Sequence, residues 1–310
     1  MQTFAVLLAV LQFLTGTFNS VDAKIFHTFN ILDPNYSIEN LTKSLNQLIG
    51  PIQNASAENL KISATSAIIL DYDSGRVLMN KNSDAKLPMA SITKIMTALV
   101  VLDIYDGRLE TVIKVPSEAL EGKVGSSMYL RANEAMTVRN LLRGLLIASA
   151  NDAARTFAYI SAGSISDFAS MMNARAKALG LTNTHFVNAD GFDSENHYST
   201  ARDIAKLTQT AFGDPVFSEI VGTASETVFD ITGKFKHKLT TTNQLLTKYN
   251  NVVGVKTGTT EEAGQSLVAA AVGSAGQKVI VVLLDSPDRF GEASKALDWA
   301  LKSHTWIESL

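Results

Sequence analysis

Three short segments hold residues that could do chemistry together: Ser91-Ile92-Thr93-Lys94, Ser149-Ala150-Asn151 and Lys256-Thr257-Gly258. A serine hydroxyl is a poor nucleophile at neutral pH until a neighbouring base takes its proton. A lysine amine serves as that base only when burial or nearby cations lower its pKa. Positions i and i+3 of a helix share a face, so an amine at 94 can reach a hydroxyl at 91. A helix is predicted there, because Ile92, Ile95, Met96, Leu99, Val100 and Leu102 recur at three- and four-residue steps. Its start would offer unpaired N–H groups and a positive partial charge to an oxyanion. Alone, Ser91 also reads as a helix cap and Lys94 as a solvated charge. A second Ser-x-x-Lys, Ser83 with Lys86, follows the polar run Asn80-Lys81-Asn82. Nothing there holds hydroxyl and amine in register, and the pair is read as loop.

Ser149-Ala150-Asn151 sits between two helical runs. Ser-x-Asn also occurs at Ser44-Leu45-Asn46 and Ser194-Glu195-Asn196, so spacing alone would make it a turn. Lys256-Thr257-Gly258 ends the strand-like Val252-Val253-Gly254-Val255 and reads either as a strand end or as an edge for an extended peptide. In the second reading the amine attracts a terminal carboxylate and Gly258 permits close approach.

The elements that must position these groups follow from periodicity. Ser66 to Tyr72 and Arg76 to Met79 flank a Gly-containing turn and read as a hairpin. Helical runs follow at Val138 to Ile147, Ala153 to Ile160, Phe168 to Leu179 and Thr200 to Thr210, the last opening on Thr200-Ala201-Arg202-Asp203 in capping-box spacing. Strand patterns return at Thr227 to Ile231, Val252 to Val255, Ser266 to Val272 and Lys278 to Leu284, before a closing helix through Ala293, Ala296, Leu297, Ala300 and Leu301. Short turns between neighbouring strands require antiparallel pairing. The expected class is α+β: an antiparallel sheet flanked by helices, with a helix-rich part at about 117–217 between the N- and C-terminal sheet segments.

Composition narrows the function. The chain has 310 residues, 46% hydrophobic and 18% charged, which is globular. Its 27 basic and 30 acidic residues leave a formal charge of −3, far from the basic balance of a nucleic-acid binder. There is no cysteine, which removes thiolate chemistry, disulfides and cysteine-type zinc sites. Phe4 to Leu14 has the length of a signal-peptide core, and Val21 and Ala23 fit a cut before Lys24. Residues 1–23 are expected to be an export signal or, uncleaved, an N-terminal anchor, since no Lys or Arg precedes the apolar run. Residues 24–61 read as a spacer, 62–303 as the catalytic domain and 304–310 as a tail.

Taken in this order and on these elements, the three motifs resemble the signature of penicillin-binding proteins and serine β-lactamases, and most closely the low-molecular-mass serine D-alanyl-D-alanine carboxypeptidases. The likeness runs from about Ser66 to Trp299 and includes Pro88-Met89-Ala90-Ser91, Gly144 to Ala154, His197 to Asp203 and Gly254 to Thr260. The resemblance implies the DD-peptidase/β-lactamase-like fold and an acyl-enzyme on Ser91. Lys94 would take the proton and Ser149 would carry it to the leaving D-alanine. Asn151 would hold the substrate amide, Lys256, Thr257 and Gly258 the carboxylate end, and the N–H groups of Ser91 and Thr259 the oxyanion. It implies a peptidoglycan stem peptide as substrate, β-lactams as covalent inhibitors, an extracytoplasmic location, and no cofactor or metal. Ala150 stands where the family often has Gly. The chain ends at Leu310, where many relatives continue into a β-domain and an amphipathic anchor, so that mode of anchoring is not expected.

Rival readings differ in identifiable residues. A class A β-lactamase needs a Glu-x-x-Leu-Asn deacylation segment, and Glu195, Glu219 and Glu226 lack that context. An endopeptidase cutting D-alanyl crosslinks would share every motif. A sensor that acylates without turnover would also share them, and the full set of proton-transfer groups counts against it. A zinc peptidase could draw on His185, Asp190 and His197, but His-Glu-x-x-His is absent.

Overall fold

The computed structural model describes residues 50–306 apart from Lys123. The expected leader and most of the expected spacer lie outside these residues. In chain order the elements are β1 (Ile52–Gln53), β2 (Ser66–Asp71), β3 (Val77–Lys81), a 3₁₀ turn (Ala90–Thr93), α1 (Lys94–Ile104), β4 (Val112–Lys114) and β5 (Ala135–Thr137). Next come α2 (Val138–Ile147), α3 (Asn151–Ala162), α4 (Ile165–Ala178), α5 (Ala201–Phe212) and α6 (Pro215–Val221). The chain then runs through β6 (Ser225–Phe229), β7 (Lys236–Thr240), α7 (Leu245–Lys248), β8 (Val252–Thr260), β9 (Gly264–Val272), β10 (Lys278–Leu284), α8 (Arg289–Lys302) and β11 (His304–Thr305).

The class is α+β. Five antiparallel strands lie in the order β3-β2-β10-β9-β8. The strand period of two sorts their side chains into two cores. Ala67, Ile69, Leu267, Ala269, Val281 and Leu283 face α8, whose Ala293, Ala296, Leu297 and Ala300 sit close on the sheet. Ile68, Leu70, Val268, Ala270, Ile280 and Val282 face the helical half, built around the buried α1. Each face is apolar because each is covered, so β2 and β10 are buried almost along their whole length.

Thr200 caps α5 as its spacing predicts, accepting the Asp203 N–H, but the Asp203 carboxylate turns away to the Asn183 N–H and Thr184 hydroxyl. β1 and β11 pair with each other, so residues at the two ends of the described chain are joined beside α8. Two features place the site. β8 is one of the two edge strands of the sheet, and the 3₁₀ turn before α1 packs against it: a Cβ added at Gly258 would lie 2.9 Å from the Met89 carbonyl oxygen.

Candidate active site

Ser91 lies in the 3₁₀ turn, one turn before the helix its periodicity predicts, because α1 itself begins at Lys94. Its hydroxyl does not cap the helix. It accepts a hydrogen bond from Lys94 Nζ at 2.9 Å. Lys94 is not a solvated charge either: it is fully buried and also donates to the Asp190 carbonyl oxygen. Burial lowers its pKa to about 8, against the opposing pull of the Asp190 and Asp152 carboxylates. The preceding residue, Ala90, has a left-handed φ of 48°, and Gly191 presses on it so closely that a Cβ there would fall 2.0 Å from the Ala90 carbonyl oxygen. Such strain persists only where surrounding structure imposes it.

Ser149 occupies the tight link between α2 and α3, again with a left-handed φ, of 58°. Its hydroxyl accepts from Lys256 Nζ at 2.8 Å. Lys256 is 1% exposed, and burial first, then the Lys94 ammonium and Arg289, hold its pKa well below the usual lysine value. The Lys256–Ser149 bond joins the third motif to the second, and Gly258 against Met89 and Ala90 joins it to the first, which brings all three motifs to one cleft.

Asn151 opens α3. Its Nδ2 donates to the Val124 carbonyl oxygen at 2.7 Å, while its buried Oδ1 has no partner in the protein and is left as an acceptor. The Thr257 hydroxyl shares a 2.6 Å hydrogen bond with that of Thr242, and Thr259 lies two residues further along β8 on the same side. Gly258 is where the strand meets the serine turn.

Sequence reasoning gives no role to two residues that complete the cleft. Arg289, at the start of α8, donates to the Gly258 carbonyl oxygen at 2.9 Å and to the Thr259 hydroxyl at 2.5 Å. The buried Asp152 carboxylate accepts from the Met128 and Leu130 N–H groups and from the Ser127 hydroxyl, ordering the loop that Asn151 touches. Neither residue has a local sequence signal, since their partners are distant in the chain.

The alternative residues are engaged elsewhere. Ser83 bonds to Arg202 and Asp84, and the Lys86 ammonium lies over the Tyr198 ring. His197 Nδ1 accepts the Val187 N–H and its Nε2 bonds to Thr93, while His185 Nδ1 donates to the Asn196 carbonyl oxygen. Among the described residues no three His, Cys, Asp or Glu side chains gather to hold a metal ion. Glu219 and Glu226 are drawn to Arg143 on α2.

Fold and site together define an α+β protein whose cleft pairs two lysines with two serines between a helix start and a sheet edge. The chain belongs to the D-alanyl-D-alanine carboxypeptidase family, peptidase S11, whose model matches residues 53–288. It is 38% identical over 245 residues to the D-alanyl-D-alanine carboxypeptidase DacF of Bacillus subtilis, covering 78% of this chain and 63% of that protein. It is 37% identical over 260 residues to DacC of Escherichia coli, covering 80% of this chain and 63% of that protein. The chain thus spans less than two thirds of these relatives. In structure it resembles the Streptomyces K15 DD-transpeptidase, with a TM-score of 0.75 at 31% identity, over 79% of this chain and 99% of that one.

Proposed function

We propose that this chain is a serine DD-carboxypeptidase that removes the terminal D-alanine from peptidoglycan stem pentapeptides through an acyl-enzyme on Ser91. The observation that carries the reading is the 2.9 Å contact between the Ser91 hydroxyl and a fully buried amine of pKa about 8. At pH 7 about a tenth of such an amine is neutral, against less than about a thousandth for a free lysine.

Ser91 Oγ attacks the carbonyl carbon of the penultimate D-alanine while Lys94 Nζ takes its proton. The negative oxygen is held by the N–H groups of Ser91 and Thr259. Ser149, bonded to Lys256, relays that proton from Lys94 to the departing D-alanine nitrogen and ends with its own hydroxyl intact, the C–N bond breaks, and an ester on Ser91 remains. Water then attacks the ester and restores the Ser91 hydroxyl. The free Asn151 Oδ1 receives a substrate amide N–H, and Lys256, Thr257 and Gly258 receive the terminal carboxylate, with the substrate extended along the β8 edge.

β-Lactams acylate the same hydroxyl and leave slowly, because no Glu-x-x-Leu-Asn segment supplies a second base: Glu195, Glu219 and Glu226 all lack that context. The substrate places the chain outside the cytoplasm, with residues 1–23 as export signal or anchor. Among the described residues no helix is long and apolar enough to cross a membrane.

The test is mass spectrometry of products from a stem pentapeptide and a crosslinked dimer, with the wild type and Ser91→Ala. D-Alanine release from the pentapeptide, lost in the variant, is expected. Cleavage of the dimer alone would make the chain an endopeptidase, and no product from either would end the proposal.

A further inference from the structure

The β6–β7 hairpin carries a cluster that catalysis at Ser91 does not use. Between it and the loop entering β5 lies a cleft of about 420 Å³, lined by Tyr129, Arg131, Lys234, Phe235, Lys236 and Lys238, with Met128 and His237 at its base. Along β7, Lys236 and Lys238 are exposed while His237 and Leu239 are buried, so the strand period sets both ammonium groups on one face. The Arg131 guanidinium lies 4.4 Å and the Lys234 ammonium 5.5 Å from the centre of the Phe235 ring. None of these four cations is in an ion pair among the described residues.

The nearby acids are turned inward. Glu134 takes His237 Nε2 and the Arg131 N–H, and Asp230 takes the N–H groups of Thr232 and Phe235. Glu226, on β6, pairs with Arg143. The cleft therefore presents positive charge on a chain of net negative charge. Tyr129, 78% exposed at its rim, adds a ring that covers no part of the core.

The cleft is also preformed. His237 Nδ1 donates to the Met128 carbonyl oxygen at 2.6 Å while Nε2 bonds to Glu134, which joins the strand wall to the loop wall. Both walls run on to the Ser91 cleft. The loop bonds to Asn151 and Asp152 through Val124, Ser126, Met128 and Leu130. β7 leads to Thr242, which holds the Thr257 hydroxyl. Four residues of extended chain separate Lys238 from Thr242, about 13 Å.

We propose that this cleft is a second binding site, for an oligoanion: a carboxylate- or phosphate-bearing segment of the same wall polymer whose D-alanyl end lies at Ser91. The identity of the polymer rests on the function proposed above; the affinity for an oligoanion does not.

The experiment uses the full chain and the variant Arg131→Gln/Lys234→Gln/Lys236→Gln/Lys238→Gln, which leaves every residue of the Ser91 cleft in place. Binding of a short polyglutamate and of inorganic polyphosphate is measured at low and high salt. The wild type is expected to bind at least one of them, more weakly as salt rises, and the variant to bind it about tenfold less tightly. Polyglutamate as the tighter ligand identifies carboxylates as the natural anion, and polyphosphate identifies phosphates. In parallel, kcat/KM is measured on a capped tripeptide with no anion beyond its terminal carboxylate, and on wall fragments. The variant should match the wild type on the tripeptide and show a raised KM on the fragments.

Equal melting temperatures of the two proteins without polyanion establish that the fold is unchanged. Wild type that binds neither probe, a variant that binds both as the wild type does, or equal impairment on tripeptide and fragments overturns the proposal. Wild type that binds an oligoanion but cleaves no D-alanyl peptide upholds the cleft and removes the carboxypeptidase reading. Cleavage without oligoanion binding does the reverse.

Discussion

Lys256 Nζ donates to the Ser149 hydroxyl at 2.8 Å, across 107 positions of sequence. The bond fastens the sheet edge to the α2–α3 link and, in the proposed mechanism, orients the hydroxyl through which the proton taken by Lys94 reaches the leaving D-alanine. Two residues that act as one proton-delivery unit should fail as a unit. Ser149→Ala and Lys256→Met are each expected to lower kcat/KM for D-alanine release by about a hundredfold or more, and the double variant by little beyond either. A double-mutant cycle giving simple additivity would separate their roles.

In the proposed mechanism Lys94 sets the pH dependence: its neutral form is the base, so kcat/KM should climb with pH and level off above about 8. The same shift acts on stability. Between about 8 and the ordinary lysine value of 10.5, the unfolded chain binds a proton that the folded chain does not, so stability rises with pH across that window. The rise is on the order of 3 kcal/mol. Denaturation of the wild type and Lys94→Met at pH 7 and pH 10 checks this: the wild type should gain more than the variant, which keeps only the rise of the same sign from Lys256, and the variant should be the more stable at pH 7.

His197 acts in the same sense as Lys94, in a lower window of pH. Burial first, then His185, holds its pKa at about 4, below the ordinary 6.5. Above pH 6.5 the imidazole is neutral in both states. As pH falls toward 4 the unfolded ring takes up a proton that the folded ring refuses, and stability is lost, on the order of 3 kcal/mol. His197→Gln carries no titrating group at that position and should show a flatter acid limb in urea unfolding. An acid limb equal to that of the wild type would place the loss elsewhere.

Gly191 tests how the serine turn is held. Its φ of +89° and the 2.0 Å approach of a Cβ to the Ala90 carbonyl oxygen leave no room for a side chain. Gly191→Ala should displace Ser91, slow acylation by penicillin by more than about tenfold and cost about 2–4 kcal/mol of stability. Stopped-flow acylation and thermal melting measure both. Unchanged acylation would mean that the turn is set by β8 alone.

The candidate reactive residues are legible in the chain because their types and order are constrained by chemistry. Few groups besides Lys94 can activate Ser91 without cysteine or a partnered histidine, and the helical period places the two on one face. Regular elements are legible for a similar reason. Periodicity predicts a helix over Val138–Ile147 and a strand over Lys278–Leu284, and both occur with those ends. β4 and β5, three residues each, are too short to carry a period. In β7 the polar Lys236-His237-Lys238 masks an alternation that only burial of His237 reveals.

Read without its structure, the chain is enough to predict the α+β order, from local periodicity, and the candidate nucleophile and its base, from the order of three motifs that singly read as caps and turns. Tertiary packing alone decided that Lys94 is buried, that Lys256 reaches Ser149, that Arg289 closes on Thr259, and that four cations share one cleft. Desolvation and long-range contact arise only when distant segments exclude water together, and no local pattern of residues encodes that exclusion.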